Sequence, residues 1–339
     1  MRSIIAQVFV AFIAIAAASQ ADAAVGFQHF SISDPQGPPI EVGVWYPTGA
    51  APKLQALESD QQMVARDAAL AGDRLPLVVI SHGHGGSYAG HLDTAMALAN
   101  AGFVVAALTH NGDSWRDPSN PTAIWERPRQ FKLVTDYMLD AWGDHGRIDA
   151  TRVGAFGFSA GGFTVLAVAG GEPDLRTLGD HCRAHPAFED CQIVERHPLP
   201  LDAAIVWVHD PRIKAVVSAA PALGFAFGRK GLAAVRQPVQ LWRAEDDQVL
   251  PHPYYAEAVR LALPTSPEAH VVANAGHYDF LTPCSAQLAT RVPAICTSRY
   301  RGSTALHFMS ASIATSSRSL RGRCSRGRDL VSDSSFVGS

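Results

Sequence analysis

The hexapeptide Gly157-Phe158-Ser159-Ala160-Gly161-Gly162 begins at the end of a strand-like run, residues 152–158, and leads into an apolar helix-like run, residues 163–169. A strand that turns sharply into a helix through Gly-x-Ser-x-Gly is typical of a nucleophile elbow, which holds the serine hydroxyl clear of the sheet. The serine there takes a strained backbone conformation, so a side chain at position 157 or 161 would collide across the turn. The alternative is an ordinary strand–helix turn, because short Gly/Ser patterns also arise by chance in a chain with 28 glycines.

Strand-like and helix-like stretches alternate on both sides of this turn. Apolar runs of strand length occupy residues 75–81, 103–108, 153–158, 213–219, 239–244 and 270–273, and helical spacing occupies residues 89–101, 129–142 and 254–263. This alternation predicts an α/β fold with a mostly parallel, doubly wound sheet that carries helices on both faces. Residues 25–32 and 40–46 predict an antiparallel hairpin at the sheet edge, and residues 47–74 predict a loop with some helix.

Residues 171–212 interrupt the alternation and are rich in His, Pro, Asp and Cys. They directly follow the helix that the elbow begins, so we expect a small inserted lid beside the site. The chain has 339 residues, of which 47% are hydrophobic, and can therefore bury one large core. Because no repeat or linker divides it, we expect one domain over residues 24–297.

The two ends differ from this domain in composition. Residues 1–23 combine Arg2, an apolar run at 4–18 and Ala21-Asp22-Ala23, which together indicate a cleaved secretory signal peptide. An uncleaved anchor is the alternative, and no later stretch is long and apolar enough for a membrane helix. Residues 298–339 are rich in Ser and Arg and predict a disordered tail, which we interpret as a shifted reading frame or a decayed terminus.

Export to the periplasm or the medium would place the cysteines in an oxidising compartment. Five remain after the signal peptide, and pairs close in sequence predict the disulfides Cys182–Cys191 and Cys284–Cys296, with Cys324 left over. Each bridge would contribute about 2–4 kcal/mol in the chain-entropy model. Zinc is the alternative, but neither pair has Cys-x-x-Cys spacing.

A serine nucleophile needs a general base and an acid that orients it. In the α/β-hydrolase order the acid follows the serine and the histidine comes last. His277 follows the last predicted strand, and Gly276 before it allows a close turn towards Ser159. Asp247 follows the penultimate strand and is the predicted acid, with Asp246 as its main rival and Glu245 as a weaker one.

The negative oxygen of a tetrahedral intermediate needs two preorganised donors. The N–H of Ala160, the residue after the nucleophile, is the first expected donor, and the N–H of His84 in the glycine-rich loop is the second. That loop could instead be a mere strand-to-helix turn. His82 and His84 could alternatively be metal ligands, but no third ligand with suitable spacing is nearby. We expect no metal and no cofactor.

Five motifs carry a resemblance to a known family: VWYP at 44–47, SHGHGG at 81–86, GFSAGG at 157–162, EDDQVLP at 245–251 and AGHYDFLTPC at 275–284. Over residues 25–297 the chain resembles secreted α/β-hydrolases of the predicted dienelactone hydrolase group, which are related to platelet-activating-factor acetylhydrolases. The resemblance implies ester hydrolysis through an acyl-enzyme, with Ser159, Asp247 and His277 as the triad and with His84 and Ala160 as oxyanion donors. Two departures are Ser159 where dienelactone hydrolases proper use cysteine, and a tail with no helical pattern where relatives end in a helix.

These patterns favour an exported serine esterase acting on a small ester. The alternatives are a lipase or peptidase on the same fold, although a lipase would need a larger apolar lid, and a catalytically silent binding protein. The formal net charge of −3 gives no electrostatic case for a nucleic-acid or membrane-surface partner. The acyl group, the alcohol and the oligomeric state depend on the shape of the surface and stay open.

Overall fold

The computed structural model describes residues 24–199 and 205–296. Its strands are β1 (Ala24–Ile32), β2 (Ile40–Thr48), β3 (Lys53–Leu57), β4 (Asp60–Arg66), β5 (Leu75–Ser81), β6 (Val104–Leu108), β7 (Ile148–Phe158), β8 (Ile213–Ala219), β9 (Val239–Ala244) and β10 (Glu268–Val272). Its α-helices are α1 (Leu92–Asn100), α2 (Glu126–Asp140), α3 (Ala160–Val168), α4 (Thr177–Ala184), α5 (Glu189–Arg196), α6 (Ala256–Ala262), α7 (Ala286–Arg291) and α8 (Pro293–Cys296).

The ten strands form one sheet in the order β10-β9-β8-β7-β5-β6-β2-β1-β4-β3. The six strands from β10 to β6 are parallel to one another, and the antiparallel pairs begin where β6 meets β2. Helices cover both faces: α2, α3 and α6 pack on one core, and α1 packs on the other. The predicted mostly parallel, doubly wound sheet is therefore confirmed.

Strand β5 shows why the parallel strands were recognisable. Its sequence LPLVVIS is apolar almost throughout, and every residue after Leu75 is buried because β6 and β7 flank it and helices cover both faces. A strand covered on both faces has no polar side to alternate with, so it appears in the sequence as a continuous apolar run. The carboxyl ends of β5 and β7 lie side by side, and this brings the glycine-rich loop to the elbow.

The β1–β2 hairpin is antiparallel as predicted, but its predicted place at the sheet edge is wrong. Strand β2 also pairs with β6, and β1 also pairs with β4, so the hairpin lies inside the sheet. Only Glu41 of β2 is not fully buried, which is the burial expected of an interior strand.

The prediction of a loop with some helix for residues 47–74 is also wrong. Most of this stretch is the hairpin of β3 and β4, which forms the actual edge of the sheet. Its side chains alternate: Leu57 and Val64 are buried, whereas Leu54 and Met63 are 60% and 53% exposed. Because Gln55, Asp60 and Gln62 lie on the same side as the buried Leu57 and Val64, while the apolar Leu54 and Met63 face outward, the stretch lacks the apolar–polar alternation by which a strand is recognised.

Both predicted disulfides are confirmed. Cys182–Cys191 joins α4 to α5 within the segment inserted between α3 and β8, and Cys284–Cys296 closes the loop around α7. Cys324, the predicted signal peptide and the predicted tail lie outside the described residues. Across residues 24–199 and 205–296, no helix combines the length and the apolar character needed to cross a membrane.

Candidate active site

Ser159 occupies a strained position between β7 and α3. Its backbone has φ 55° and ψ −117°, outside the conformations that residues with side chains ordinarily adopt. Main-chain hydrogen bonds hold it on both sides: its N–H donates to the Ala219 carbonyl at 2.9 Å, and its own carbonyl accepts from the Ala222 N–H at 3.0 Å. The turn is therefore fixed by the neighbouring strand β8 and the loop after it, not by the serine side chain.

The glycines on either side of Ser159 are sterically required. A Cβ added at Gly157 would lie 2.0 Å from the Gly161 carbonyl oxygen, and one added at Gly161 would lie 1.9 Å from the Ser81 carbonyl oxygen. Both obstacles are backbone atoms and cannot swing away. The predicted collision at these two positions is confirmed.

His277 and Asp247 form a buried pair at the carboxyl end of the sheet. Asp247 lies in the turn after β9, and His277 begins a 3-10 turn, His277–Phe280, after β10. His277 Nδ1 donates to Asp247 Oδ2 at 2.8 Å, and Asp247 Oδ1 accepts the N–H groups of Val249 and Leu250 at 3.0 and 2.8 Å. Since a carboxylate only accepts, the proton of a neutral imidazole lies on Nδ1, and Nε2 is left as the basic nitrogen.

Neither of the two rival acids contacts His277. Asp246 and Glu245 are exposed, and the Glu245 carboxylate accepts the Asn274 N–H at 2.8 Å. Of the three acids that the sequence offers, Asp247 is the one that contacts His277.

The imidazole of His277 lies beside the elbow. Its ring centroid is 4.7 Å from that of Phe158, the residue before Ser159, and both Ser159 and His277 are largely buried, with 8% and 4% exposure. Within the described residues, Ser159 Oγ makes no hydrogen bond to His277. Such bonds between a nucleophile and its base are often long until substrate binds.

The glycine-rich loop contacts the elbow directly. A Cβ at Gly83 would lie 3.3 Å from Ser159 Cβ, so the loop passes against the serine and brings the backbone of His84 close to it. Ala160 is the first residue of α3, and its N–H therefore has no acceptor within the helix. Both expected oxyanion donors thus belong to backbone next to Ser159.

The two histidines of this loop have separate partners. His82 is buried, its Nε2 accepts the His110 N–H at 2.9 Å, and its Nδ1 donates to the Gly83 carbonyl at 2.6 Å. Burial lowers the pKa of His82 to about 3, so the ring is neutral. His84 Nδ1 donates to Asp113 Oδ1 at 2.6 Å, and this hydrogen bond raises the pKa of His84.

One group of possible metal ligands occurs among the residues that the structure describes, and it includes neither His82 nor His84. Ligand atoms of His181, Asp190 and Cys191 come within 4.8 Å of one another. The sulfur of Cys191 is already bonded to Cys182.

Sequence reasoning missed Asp113 and Arg127. Arg127 is 2% exposed and donates from Nη1 to Asp113 Oδ2 at 2.6 Å, behind the glycine-rich loop. Burial opposes the ionised form of Asp113, but the Arg127 charge and the His84 hydrogen bond hold the pKa of that carboxyl below its usual range. One signal was available: Arg127 precedes the buried residues Phe131, Val134 and Met138 at helical spacing, so it lies on the apolar stripe of α2.

The inserted segment reaches the same end of the sheet. The Tyr278 hydroxyl, next to His277, donates to Glu189 Oε2 at 3.5 Å, and the Tyr255 hydroxyl donates to Asp190 Oδ1 at 2.9 Å. Both acids belong to the first turn of α5. The segment therefore packs beside the candidate base, where a lid was expected.

Comparison with known proteins gives a family match and structural matches. Residues 78–177, from β5 to the start of α4, match the model of the prolyl oligopeptidase family. The chain is also similar to the solved structure of a ferulic acid esterase from Streptomyces cinnamoneus, with 20% sequence identity, a TM-score of 0.51 and coverage of 78% of this chain and 77% of that one. The fold is that of an α/β-hydrolase. No curated protein matches the sequence.

The family match also bears on the type of protein. It supports a hydrolase of the serine class, because the matched stretch 78–177 contains both the glycine-rich loop and the elbow. The grouping with dienelactone hydrolases and platelet-activating-factor acetylhydrolases is not confirmed and stays a prediction.

Proposed function

We propose that the chain is an exported serine hydrolase that cleaves carboxylic esters through an acyl-enzyme, with Ser159, Asp247 and His277 as its triad. The observation that carries the proposal is the buried 2.8 Å hydrogen bond from His277 Nδ1 to Asp247 Oδ2, at the sheet end where the strained elbow presents Ser159. A carboxylate that also accepts two backbone N–H groups cannot rotate freely, so it fixes the imidazole with Nε2 as the base.

In the first half of the reaction, Ser159 Oγ attacks the carbonyl carbon of the ester, and its proton passes to His277 Nε2. The carbonyl oxygen becomes an oxyanion and accepts the N–H groups of His84 and Ala160. When the tetrahedral intermediate collapses, the bond to the alcohol oxygen breaks and that oxygen takes the proton from His277. The alcohol leaves, and the acyl group stays on Ser159.

In the second half, water attacks the acyl carbon and gives its proton to His277 Nε2. The same two N–H groups stabilise the second oxyanion. Collapse breaks the bond to Ser159 Oγ, which recovers the proton, and the carboxylic acid is released. Asp247 accepts the Nδ1 hydrogen bond throughout and stabilises the imidazolium that forms in each half.

The finer assignments belong to the same proposal. We place the signal peptide at 1–23, the hydrolase domain at 24–297 with its lid at 171–212, and a tail at 298–339. The two disulfides are consistent with a periplasmic or secreted protein. The five motifs at 44–47, 81–86, 157–162, 245–251 and 275–284 favour the dienelactone hydrolase-like group within the fold.

The test is hydrolysis of p-nitrophenyl esters of increasing acyl length and of methyl ferulate, by mature protein beginning at Ala24. Ser159→Ala should lower turnover by about 10⁴-fold or more, because it removes the nucleophile and leaves only binding and the oxyanion donors. Full activity in a folded Ser159→Ala variant would contradict the triad, and a folded but inactive wild type would favour the silent binding protein.

A peptidase is the second candidate, and the match to the prolyl oligopeptidase family favours it. In amide hydrolysis the unprotonated leaving group would be an amide anion, which is far more basic than an alkoxide. The nitrogen must therefore take the proton from His277 as the C–N bond breaks, and it leaves as an amine. Matched peptidyl p-nitroanilides and p-nitrophenyl esters with the same acyl group would separate the two activities. We expect the ester to be cleaved faster by at least about tenfold, and a faster anilide would reverse the assignment.

A further inference from the structure

The carboxylate of Asp113 holds the glycine-rich loop in place. Asp113 Oδ1 accepts the His84 ring Nδ1–H at 2.6 Å and the Gly85 N–H at 3.0 Å. The two hydrogen bonds fix the chain at the side chain of His84 and at the backbone N–H of Gly85. The peptide plane that carries the His84 N–H therefore has little freedom to tilt while Asp113 stays in place.

Arg127 holds both that carboxylate and the other side of the loop. Its Nη1 donates to Asp113 Oδ2 at 2.6 Å, and its Nη2 donates to the His82 carbonyl. The loop is thus fixed at the carbonyl of residue 82, at the side chain of residue 84 and at the amide of residue 85.

The same guanidinium reaches the second oxyanion donor. Arg127 Nε donates to Thr164 Oγ1 at 3.1 Å, and the Thr164 hydroxyl donates to the Ala160 carbonyl at 2.7 Å. This links Arg127 to the first turn of α3, whose Ala160 N–H faces the nucleophile's end of the helix. One buried side chain therefore touches both structural elements that supply the oxyanion donors.

We propose that Arg127 and Asp113 are positioning residues that hold the two halves of the oxyanion hole at their catalytic spacing. This rests on the proposed function, because it assigns the His84 and Ala160 N–H groups to the oxyanion. A preorganised donor loses most of its value when displaced by about 1 Å, so the pair should act on turnover through geometry, without touching substrate.

The ion pair is also buried, and this shapes the choice of variants. Removing one partner leaves an unpaired charge in the interior, which is strongly destabilising. We would therefore prepare Asp113→Asn, Arg127→Lys and the charge-free double variant Asp113→Asn/Arg127→Met. A lysine ammonium keeps the charge, but it cannot match the three directions that the guanidinium uses, so Arg127→Lys should rescue stability more than turnover.

The chain offers a matched control two residues along α2. Arg129 donates to both oxygens of Asp34 at 2.6 and 2.9 Å, away from the loop. Arg129→Gln removes an arginine ion pair from the same helix, and it should leave kcat and KM for esters within about twofold of wild type.

The first readout is the split between kcat and KM. Asp113→Asn and the double variant should lower kcat by about 10–100-fold while KM changes by less than about threefold. The second readout is inhibition by phenylboronic acid. Ser159 Oγ bonds to the boron, His277 takes the serine proton, and a boron-bound oxygen occupies the oxyanion hole. The Ki of the boronate should rise by a factor similar to the fall in kcat/KM. A loss of stability alone would not make these two quantities change together.

If the buried substitutions prevent folding, His84→Ala still tests the proposal, because the His84 side chain is 37% exposed. This substitution removes the ring hydrogen bond to Asp113 but keeps the backbone donor. It should lower kcat by about 3–10-fold and weaken boronate binding in proportion. Wild-type kcat and Ki in His84→Ala, or in any folded Asp113 variant, would overturn the positioning role.

Boronate binding needs no turnover and so separates the two proposals. A wild type that binds the boronate but cleaves none of the esters contradicts the esterase, while the variants still decide the positioning role by Ki. A wild type that does neither overturns both.

Discussion

The elbow and the inserted segment both border the candidate base, but different contacts hold them. Ser159 and its neighbouring glycines are fixed by backbone atoms, which lie about 2 Å from any Cβ added at Gly157 or Gly161. The inserted helices α4 and α5 are held by side chains: the Cys182–Cys191 bridge and the Tyr255 hydroxyl, which donates to Asp190 and accepts from His181. We therefore expect a substitution at the elbow to cost more stability than one in the segment.

The largest effect is expected when the triad acid is substituted, with the neighbouring acid substituted in parallel as a control. Asp247→Asn should lower kcat by about 10⁴-fold, because an amide in place of the carboxylate favours the tautomer with the proton on Nε2. Asp246→Asn should change kcat by less than about threefold, since Asp246 is exposed and does not contact His277. Steady-state ester kinetics measure both, and equal losses would mean that the acid is misassigned.

The next test adds one methyl group to the elbow. Gly161→Ala places a Cβ against the Ser81 carbonyl oxygen, so β5 and α3 must separate, and we expect a loss of about 3 kcal/mol or more in the free energy of unfolding. Gly143→Ala is the control, because nothing lies within 4 Å of a Cβ there. Denaturant titration compares the two, and equal stability would show that backbone contact does not hold the elbow.

The sequence predicted the elbow well because its constraints are local. Strand β5 was predicted at the observed bounds, Leu75–Ser81, and both glycines were predicted from the turn motif, although the obstacle at Gly161 is the Ser81 carbonyl of the neighbouring strand. The loops that carry Asp247 and His277 do meet in the structure, while their catalytic roles stay predictions. Order along the chain sufficed because neighbouring parallel strands end at the same edge of the sheet.

The features that the sequence did not predict have a common physical cause: each depends on a partner that only tertiary packing brings close. Strands β3 and β4 carry Gln55, Asp60 and Gln62 on the same side as the buried Leu57 and Val64, so their sequence shows no clear alternation, and pairing of β4 to β1 joins them to the sheet. Asp113 and Arg127 are 14 positions apart, on a loop and a helix, and nothing local marks them as a buried pair. The apolar stripe of α2 marks Arg127 as buried, but its partner Asp113 is identified only by the tertiary structure.

The smallest effect concerns pH and the contacts of the inserted segment. Burial raises the pKa of Asp190 to about 6, above its ordinary value of 3.8, so its protonated form favours the folded state. That contribution is present below pH 4 and is lost as the pH rises to about 6. His181 acts in the opposite direction, because burial lowers its pKa to about 4 and the unfolded chain takes up the proton below pH 6.5.

Asp190→Asn separates the two contributions. The amide cannot ionise and keeps an acceptor for the Tyr255 hydroxyl, so only the His181 contribution remains, and stability should rise with pH between 4 and 6 more steeply than in the wild type. The difference in unfolding free energy between variant and wild type should grow by about 2–3 kcal/mol across that interval. Thermal unfolding at pH 4, 5, 6 and 7 measures it. If the unfolding free energies of variant and wild type changed equally with pH, Asp190 would be solvated. The side-chain contacts of α5 would then hold the segment less firmly than the backbone contacts hold the elbow.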